Sequence, residues 1–267
     1  MNEIAKQLLI CLVAAHFVGD FILQSDKDAS NKLKPLILLK HSVIVATLSY
    51  VLCGVWAKWQ IPLVIFCTHM VIDWIKEKIA GRDDLSNKWE IYAFLADQAA
   101  HILIITALVF IIVPAETAAD TGVNTASLFW VQLFRKDFLK LLMIISGAIL
   151  AIKVGGILIG MAVKPFLDEL EKADDGLNQD IRANSRGFEN GGKAIGYLER
   201  GLIFLFMLAG HPAGIGFLIA AKSVFRFGEI KDPQHRMEAE YIIIGTLMSF
   251  GYGMLIAYIT KFLLERI

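Results

Sequence analysis

The sequence predicts an all-α, polytopic membrane protein with seven or eight transmembrane helices, the first four forming an antiparallel bundle. Three observations lead there. Mean hydropathy is +0.59 and only 19% of the 267 residues are charged, where soluble domains run nearer a quarter. Apolar runs of about 20 residues, the length a membrane helix needs, recur between polar or Pro- and Gly-marked breaks. Ionisable residues inside those runs fall at helical spacing. A formal net charge of zero, with no basic arm, excludes a nucleic-acid binder. Cys11, Cys53 and Cys67 stand singly in apolar segments, neither a disulfide framework nor a CxxC metal motif.

The first span covers residues 4–24. Glu3 and Lys6 lead into it without a basic n-region or a small-residue cleavage site, so a retained helix is expected. The polar stretch Ser25–Lys34 closes it, and Pro35 marks the restart for a second span at 36–57. A third, 62–80, is entered at Pro62 and left at Gly81; Arg82–Lys88 then leads to a fourth at 90–113, ended by Pro114. Short connections make residues 1–114 an up-and-down four-helix domain. Residues 115–137 form an external loop whose end, Leu128–Lys136, reads as an interfacial helix. A fifth span, 138–163, opens the C-terminal membrane region, 138–267.

Within that region, segment 164–192 sets Phe166, Leu170, Leu177 and Ile181 on one helical face. Asp168, Glu169, Glu171, Asp174 and Asp175 take the other, the pattern of a surface-lying amphipathic helix. Residues 193–227 hold two apolar runs around Gly210–Gly214, which either kink one long helix or turn a hairpin. The last span is 239–262. Lysine and arginine concentrate in the loops around 27–34, 76–88 and 164–193, which places those loops in the cytoplasm and the N-terminus outside. A hairpin would return Lys231 and Arg236 to the same side and make eight spans.

Inside the first four spans, His16/Asp20, His69/Asp73 and Asp97/His101 are each four residues apart, and His41 opens the second span. That spacing puts both members of a pair on one face, a turn apart. An aspartate at bilayer depth costs roughly 2.5–3.5 kcal/mol on insertion scales, so seven such side chains need a common reason. The antiparallel order sets all seven within one or two turns of the cytoplasmic boundary. Bundles build metal sites from facing side chains in this way. Imidazole with carboxylate suits zinc first, with manganese or iron as alternatives. Three ionised aspartates would be neutralised by two divalent ions and one hydroxide, so one or two ions are expected. Gln24, one turn past Asp20, and Gln98, beside Asp97, are placed to hydrogen-bond the ligands or orient a substrate. Asp73, Asp97 and Gln98 are the residues expected to serve catalysis. Packing residues and proton or ion pathways draw on the same residue types.

Ala15-His16-Phe17-Val18-Gly19-Asp20-Phe21-Ile22-Leu23-Gln24, Lys40-His41, His69-Met70-Val71-Ile72-Asp73 and Asp97-Gln98-Ala99-Ala100-His101 form one ordered set. Together they resemble the bacterial membrane-protein family catalogued as domain of unknown function 3307, over residues 5–110. Gly196–Arg200 and Lys222–Phe227 look like the extension many such members carry. The resemblance implies a fold, a bacterial cytoplasmic membrane and a site, without naming a reaction. A distant likeness to inner-membrane metal-dependent hydrolases adds a reaction class by analogy.

A second polar set comprises Glu199, Arg200, Lys222 and Arg226, with Glu240 opening the last span. It reads either as salt bridges and snorkelling helix ends or as a pocket for an anionic, lipid-like headgroup. The leading expectation is an intramembrane metal-dependent hydrolase acting on a lipid-like or phosphorylated ester at the cytoplasmic face. Membrane lipid is its partner, and Gln24, Glu199, Arg200, Lys222 and Arg226 hold the substrate. No serine or cysteine stands in a nucleophile motif, so metal-activated water is the simplest agent. The alternatives are a divalent-metal or proton-coupled transporter and a scaffold with a structural polar core. The outer halves of the first four spans are almost wholly apolar, which weighs against transport.

Overall fold

The computed structural model describes residues 2–80, 87–113, 128–174, 191–226 and 236–267. Regular structure among them is entirely helical. The helices are α1 (Glu3–Phe21), α2 (Asp26–Ala29), α3 (Pro35–Cys53), α4 (Gln60–Ala80), α5 (Asn87–Ile112) and α6 (Phe129–Ile149). A π-helical turn, Leu150–Val154, leads into α7 (Gly155–Asp174); α8 (Gly191–Leu208), α9 (Ala213–Arg226) and α10 (Arg236–Leu264) follow. Two compact units result: Met1–Ile149 with Leu263–Ile267, and Leu150–Phe262.

In the first unit α1, α3, α4 and α5 close a ring, since α3 packs on α1 and α4, and α5 on α4 and α1; α6 lies against α1 and α3. Local chemistry sets the ends. Asn2 caps α1, its side chain accepting from Ala5 N at 2.9 Å. Pro35 opens α3, where its missing N–H costs nothing. Gly54 ends α3 in the left-handed region at φ 62°. Its carbonyl accepts from Phe129 N at 3.2 Å, and Trp130 Nε1 donates to Val51 O at 2.6 Å, which docks the start of α6 on the end of α3. Leu8, Leu12, Val45, Cys53, Ile61, Val109 and Val113 form a buried apolar cluster. They come from the start of α1 and α4 and the end of α3 and α5, so one half of the ring is dry.

The five tryptophans of the chain fall into two groups. Trp56, Trp59 and Trp130 gather at the dry end, with Phe129 in contact with Trp56 and Trp130. Trp74 and Trp89, both exposed, sit late in α4 and early in α5, with Tyr92 against Trp89. Paired aromatic girdles mark the two interfaces of a membrane-spanning bundle. The second girdle lies level with Asp73, one residue from Trp74.

Among the described residues five helices are long and apolar enough to cross a membrane: Glu3–Phe21, Pro35–Cys53, Lys88–Ile112, Phe129–Leu170 and Glu240–Leu264. Seven or eight were expected, and charge and length account for the difference. The third expected span, α4, carries Asp73, Lys76, Glu77 and Lys78 toward its end. α8 carries Lys193, Glu199 and Arg200, and α9 has only 14 residues. The 42-residue helix Phe129–Leu170 absorbs the expected interfacial helix and fifth span. A non-helical Arg135 (φ 52°, ψ −139°) sets its first residues apart.

In the second unit, residues 193–226 form a hairpin, α8 and α9 turning at Gly210 (φ 77°). Ile203, Ile215 and Phe250 are buried together. The π-helical turn shifts the hydrogen-bond register of its strand of carbonyls, and two of them accept from distant side chains. Tyr252 Oη donates to Leu150 O at 3.1 Å. Arg200, buried, donates to Ile152 O from Nη2 at 3.2 Å and to Ser249 Oγ from Nη1 at 2.9 Å. The connections 81–86 and 114–127, the stretch 175–190 with Asp175, Leu177 and Ile181, and residues 227–235 with Lys231 and His235 lie outside the described residues.

Candidate metal centre

Four helices bring the seven expected ligands together away from the dry half of the first unit. α1 supplies His16 and Asp20, α3 His41, α4 His69 and Asp73, and α5 Asp97 and His101. All seven are buried, between 0% and 9% exposed. The imidazoles are in contact: ring centroids lie 4.9 Å apart for His41–His69, 4.3 Å for His69–His101 and 4.8 Å for His101–His16. Three overlapping triads, His16–Asp20–His69, His41–His69–Asp73 and Asp73–Asp97–His101, each place one ligand atom per residue within 4.8 Å of the others.

Two lysines join them. Lys32, on the connection before α3 and 4% exposed, donates to Asp73 Oδ2 at 3.0 Å. Lys76 Nζ lies 3.4 Å from Asp97 Oδ2. Neither was among the expected site residues. Lys76 had a signal, since His69, Asp73 and Lys76 recur at helical spacing on one face. Lys32 had none, because it sits in a polar connection where periodicity carries no information.

The hydrogen-bond network assigns two of the tautomers. A carboxylate only accepts, so Gln98 turns its Nε2 to Asp97 Oδ2 at 3.0 Å and presents Oε1 to His16 Nε2 at 3.2 Å. His16 therefore carries a proton on Nε2, and its Nδ1 faces Asp20 Oδ1 at 3.6 Å. A lone pair facing a carboxylate oxygen is repulsive unless a proton or a metal cation lies between them. His101 donates from Nδ1 to the Asp97 backbone carbonyl at 2.9 Å, leaving Nε2 as a lone pair. A histidine with one nitrogen tied to a carbonyl and the other bare can bind a metal or accept a proton. Consistently, His16 Nδ1, Asp20 Oδ1, Asp73 Oδ1, Asp97 Oδ1 and His101 Nε2 are buried without a hydrogen-bond partner among the described residues.

His41 Nε2 and His69 Nε2 lie 3.0 Å apart, and each is 3.4 Å from Asp20 Oδ1 and 3.5 Å from Asp73 Oδ2. A small recess walled by Val45, Ile65, Thr68, Ile72, Ile104 and Ile105 meets the His16, His69 and His101 rings. The donor set, the unpaired buried atoms and these separations fit a divalent cation with nitrogen and oxygen ligands.

The remaining expected residues are placed differently. Gln24 lies past the end of α1, half-buried, with its Nε2 unpaired. Glu199, Arg200, Lys222 and Arg226 belong to the second unit. Lys222 Nζ is 2.7 Å from both carboxylate oxygens of Glu199, and Arg200 is bound to Ile152 and Ser249 as above. The Arg226 side chain is outside the described part.

No curated protein and no solved structure is detectably similar to this chain, so neither comparison bears on the hydrolase likeness. Residues 8–130, which carry the seven histidines and aspartates together with Lys32 and Lys76, match the family described as protein of unknown function (DUF3307).

Proposed function

We propose that this is a membrane-embedded metal-binding protein in which the metal serves hydrolysis of a lipid-like or phosphorylated ester at the cytoplasmic face of a bacterial inner membrane. The observation that carries the metal reading is the group of five unpaired buried atoms on α1, α4 and α5. Leaving such an atom unsatisfied costs about 1–3 kcal/mol, and a cation among the carboxylates and imidazoles offsets that cost at each atom it binds. Zinc is the first choice, with manganese or iron as alternatives.

When bound, such an ion polarises an ester or phosphoryl oxygen and acidifies water. The chain's own groups do the rest. Asp97 accepts from Gln98 and faces Lys76, and its Oδ1 lies 3.7 Å from His101 Nδ1. That pairing orients His101 so that Nε2 can take up a proton. The exposed girdle residue Trp74 beside Asp73 supports a centre near headgroup depth.

A second reading, a proton- or metal-coupled transporter, draws support from the unbroken chain of imidazoles. The cluster from Leu8 to Val113 is apolar and carries no charged side chain, which favours hydrolysis. Elemental analysis of detergent-purified full-length protein tests the metal reading. Wild type is expected to carry metal, and Asp73→Ala and His69→Ala to lose it; wild type that neither carries nor takes up zinc or manganese refutes the reading. Release of phosphate or fatty acid from inner-membrane lipid extracts, abolished in the same variants, tests the hydrolase step.

A further inference from the structure

The geometry points to one divalent cation, held by Asp20, His41, His69 and Asp73, with His101 outside the ligand set. This rests on the metal reading above and specifies the occupancy of that site. Ligand atoms around a tetrahedral ion with bonds of about 2.0–2.1 Å stand about 3.3–3.4 Å from one another. Five of the six separations among Asp20 Oδ1, His41 Nε2, His69 Nε2 and Asp73 Oδ2 are 3.0–3.5 Å. His41 and His69 share one hydrogen bond, but the four carboxylate–imidazole separations of 3.4–3.5 Å are held by none, and Asp20 Oδ1 has no hydrogen-bond partner among the described residues.

Charge sets the number of ions. Three aspartates and the two lysine partners, buried Lys32 and half-buried Lys76, leave the centre with one negative charge. One divalent ion with one monoanion neutralises it. A second divalent ion would leave two positive charges in a buried, membrane-depth site, which is costly. Lys76, 3.4 Å from Asp97, stands where a second ion's charge would be needed. Asp97 and His101 then serve as a proton-accepting pair beside the ion, consistent with the bare Nε2 of His101 and its Nδ1 tied to the Asp97 carbonyl.

Cobalt(II) titration of the full-length, metal-stripped protein in detergent tests this, because four-coordinate cobalt absorbs visible light far more strongly than six-coordinate cobalt. Wild type is expected to saturate at one cobalt per chain with the intense four-coordinate bands, reversed by zinc. His101→Gln is expected to keep stoichiometry and bands, and His41→Gln to lose them. Two cobalt ions per chain, weak six-coordinate bands in wild type, or loss of cobalt from a folded His101→Gln variant would overturn the single-ion assignment while leaving the metal reading standing. A wild type that binds no cobalt and no zinc overturns both. The wild-type stoichiometry and spectrum need no variant, so a misfolded mutant leaves the test intact.

Discussion

Asp73 is fully buried and holds two relationships at once, one to the Lys32 ammonium and one to the histidine cluster. Removing one member of a buried ion pair strands the other charge and costs about 3–5 kcal/mol. Lys32→Met is therefore expected to destabilise the metal-free protein by that order, read from denaturant unfolding in detergent. Asp73→Asn combined with Lys32→Met should cost clearly less than the sum of the single changes, because neither charge is then left alone. Zinc should raise the midpoint of Lys32→Met at least as much as that of wild type, since a cation binding only the folded state stabilises it. Equal, additive losses would show that the two groups are not coupled. At this scale the four-residue spacing made His16, Asp20, His69, Asp73, Asp97 and His101 readable from sequence. Lys32 was not, because its approach to Asp73 spans 41 positions and depends on how the connection before α3 folds back.

Helix contacts in this protein turn on glycine where backbones meet. A Cβ on Gly19 would lie 2.7 Å from Val45 Cγ2, so the residue preceding Asp20 sets how closely α1 approaches α3. Gly19→Ala is expected to cost about 1–3 kcal/mol through overpacking, and to lower metal occupancy as well, because a shift of α1 moves His16 and Asp20 away from His41. In the second unit a Cβ on Gly155 would meet the Tyr252 ring at 2.6 Å. Gly155→Ala should lower the thermal midpoint without altering metal content; a loss of metal there would mean that the second unit governs the centre. Helix existence was readable from apolar run length, and Pro35 and Gly54 marked boundaries of α3 through their backbone chemistry. The π-helical turn at Leu150–Val154 was not readable, since it answers to Arg200 and Tyr252, which lie about 50 and 100 positions away.

For the whole molecule, the bundle sets a dry half toward one aromatic girdle and the histidine–aspartate half toward the other. Under the proposed function, the distribution of Lys and Arg turns the second half toward the cytoplasm. In a background freed of native cysteines, Lys27→Cys is expected to resist a membrane-impermeant maleimide applied to intact cells, and Ala57→Cys to react. The reverse pattern would put the centre at the outer face. Mean hydropathy, run lengths and ligand spacing were fixed by the order of residues alone: they establish a helical chain with runs long and apolar enough to cross a membrane and put each acid beside an imidazole on one helix face, because period and composition are local properties. Which helices meet, that four imidazoles come into contact, and that two lysines enter the same buried space were decided only by packing, since those relations join residues remote in the chain and follow from how the ring of α1, α3, α4 and α5 closes.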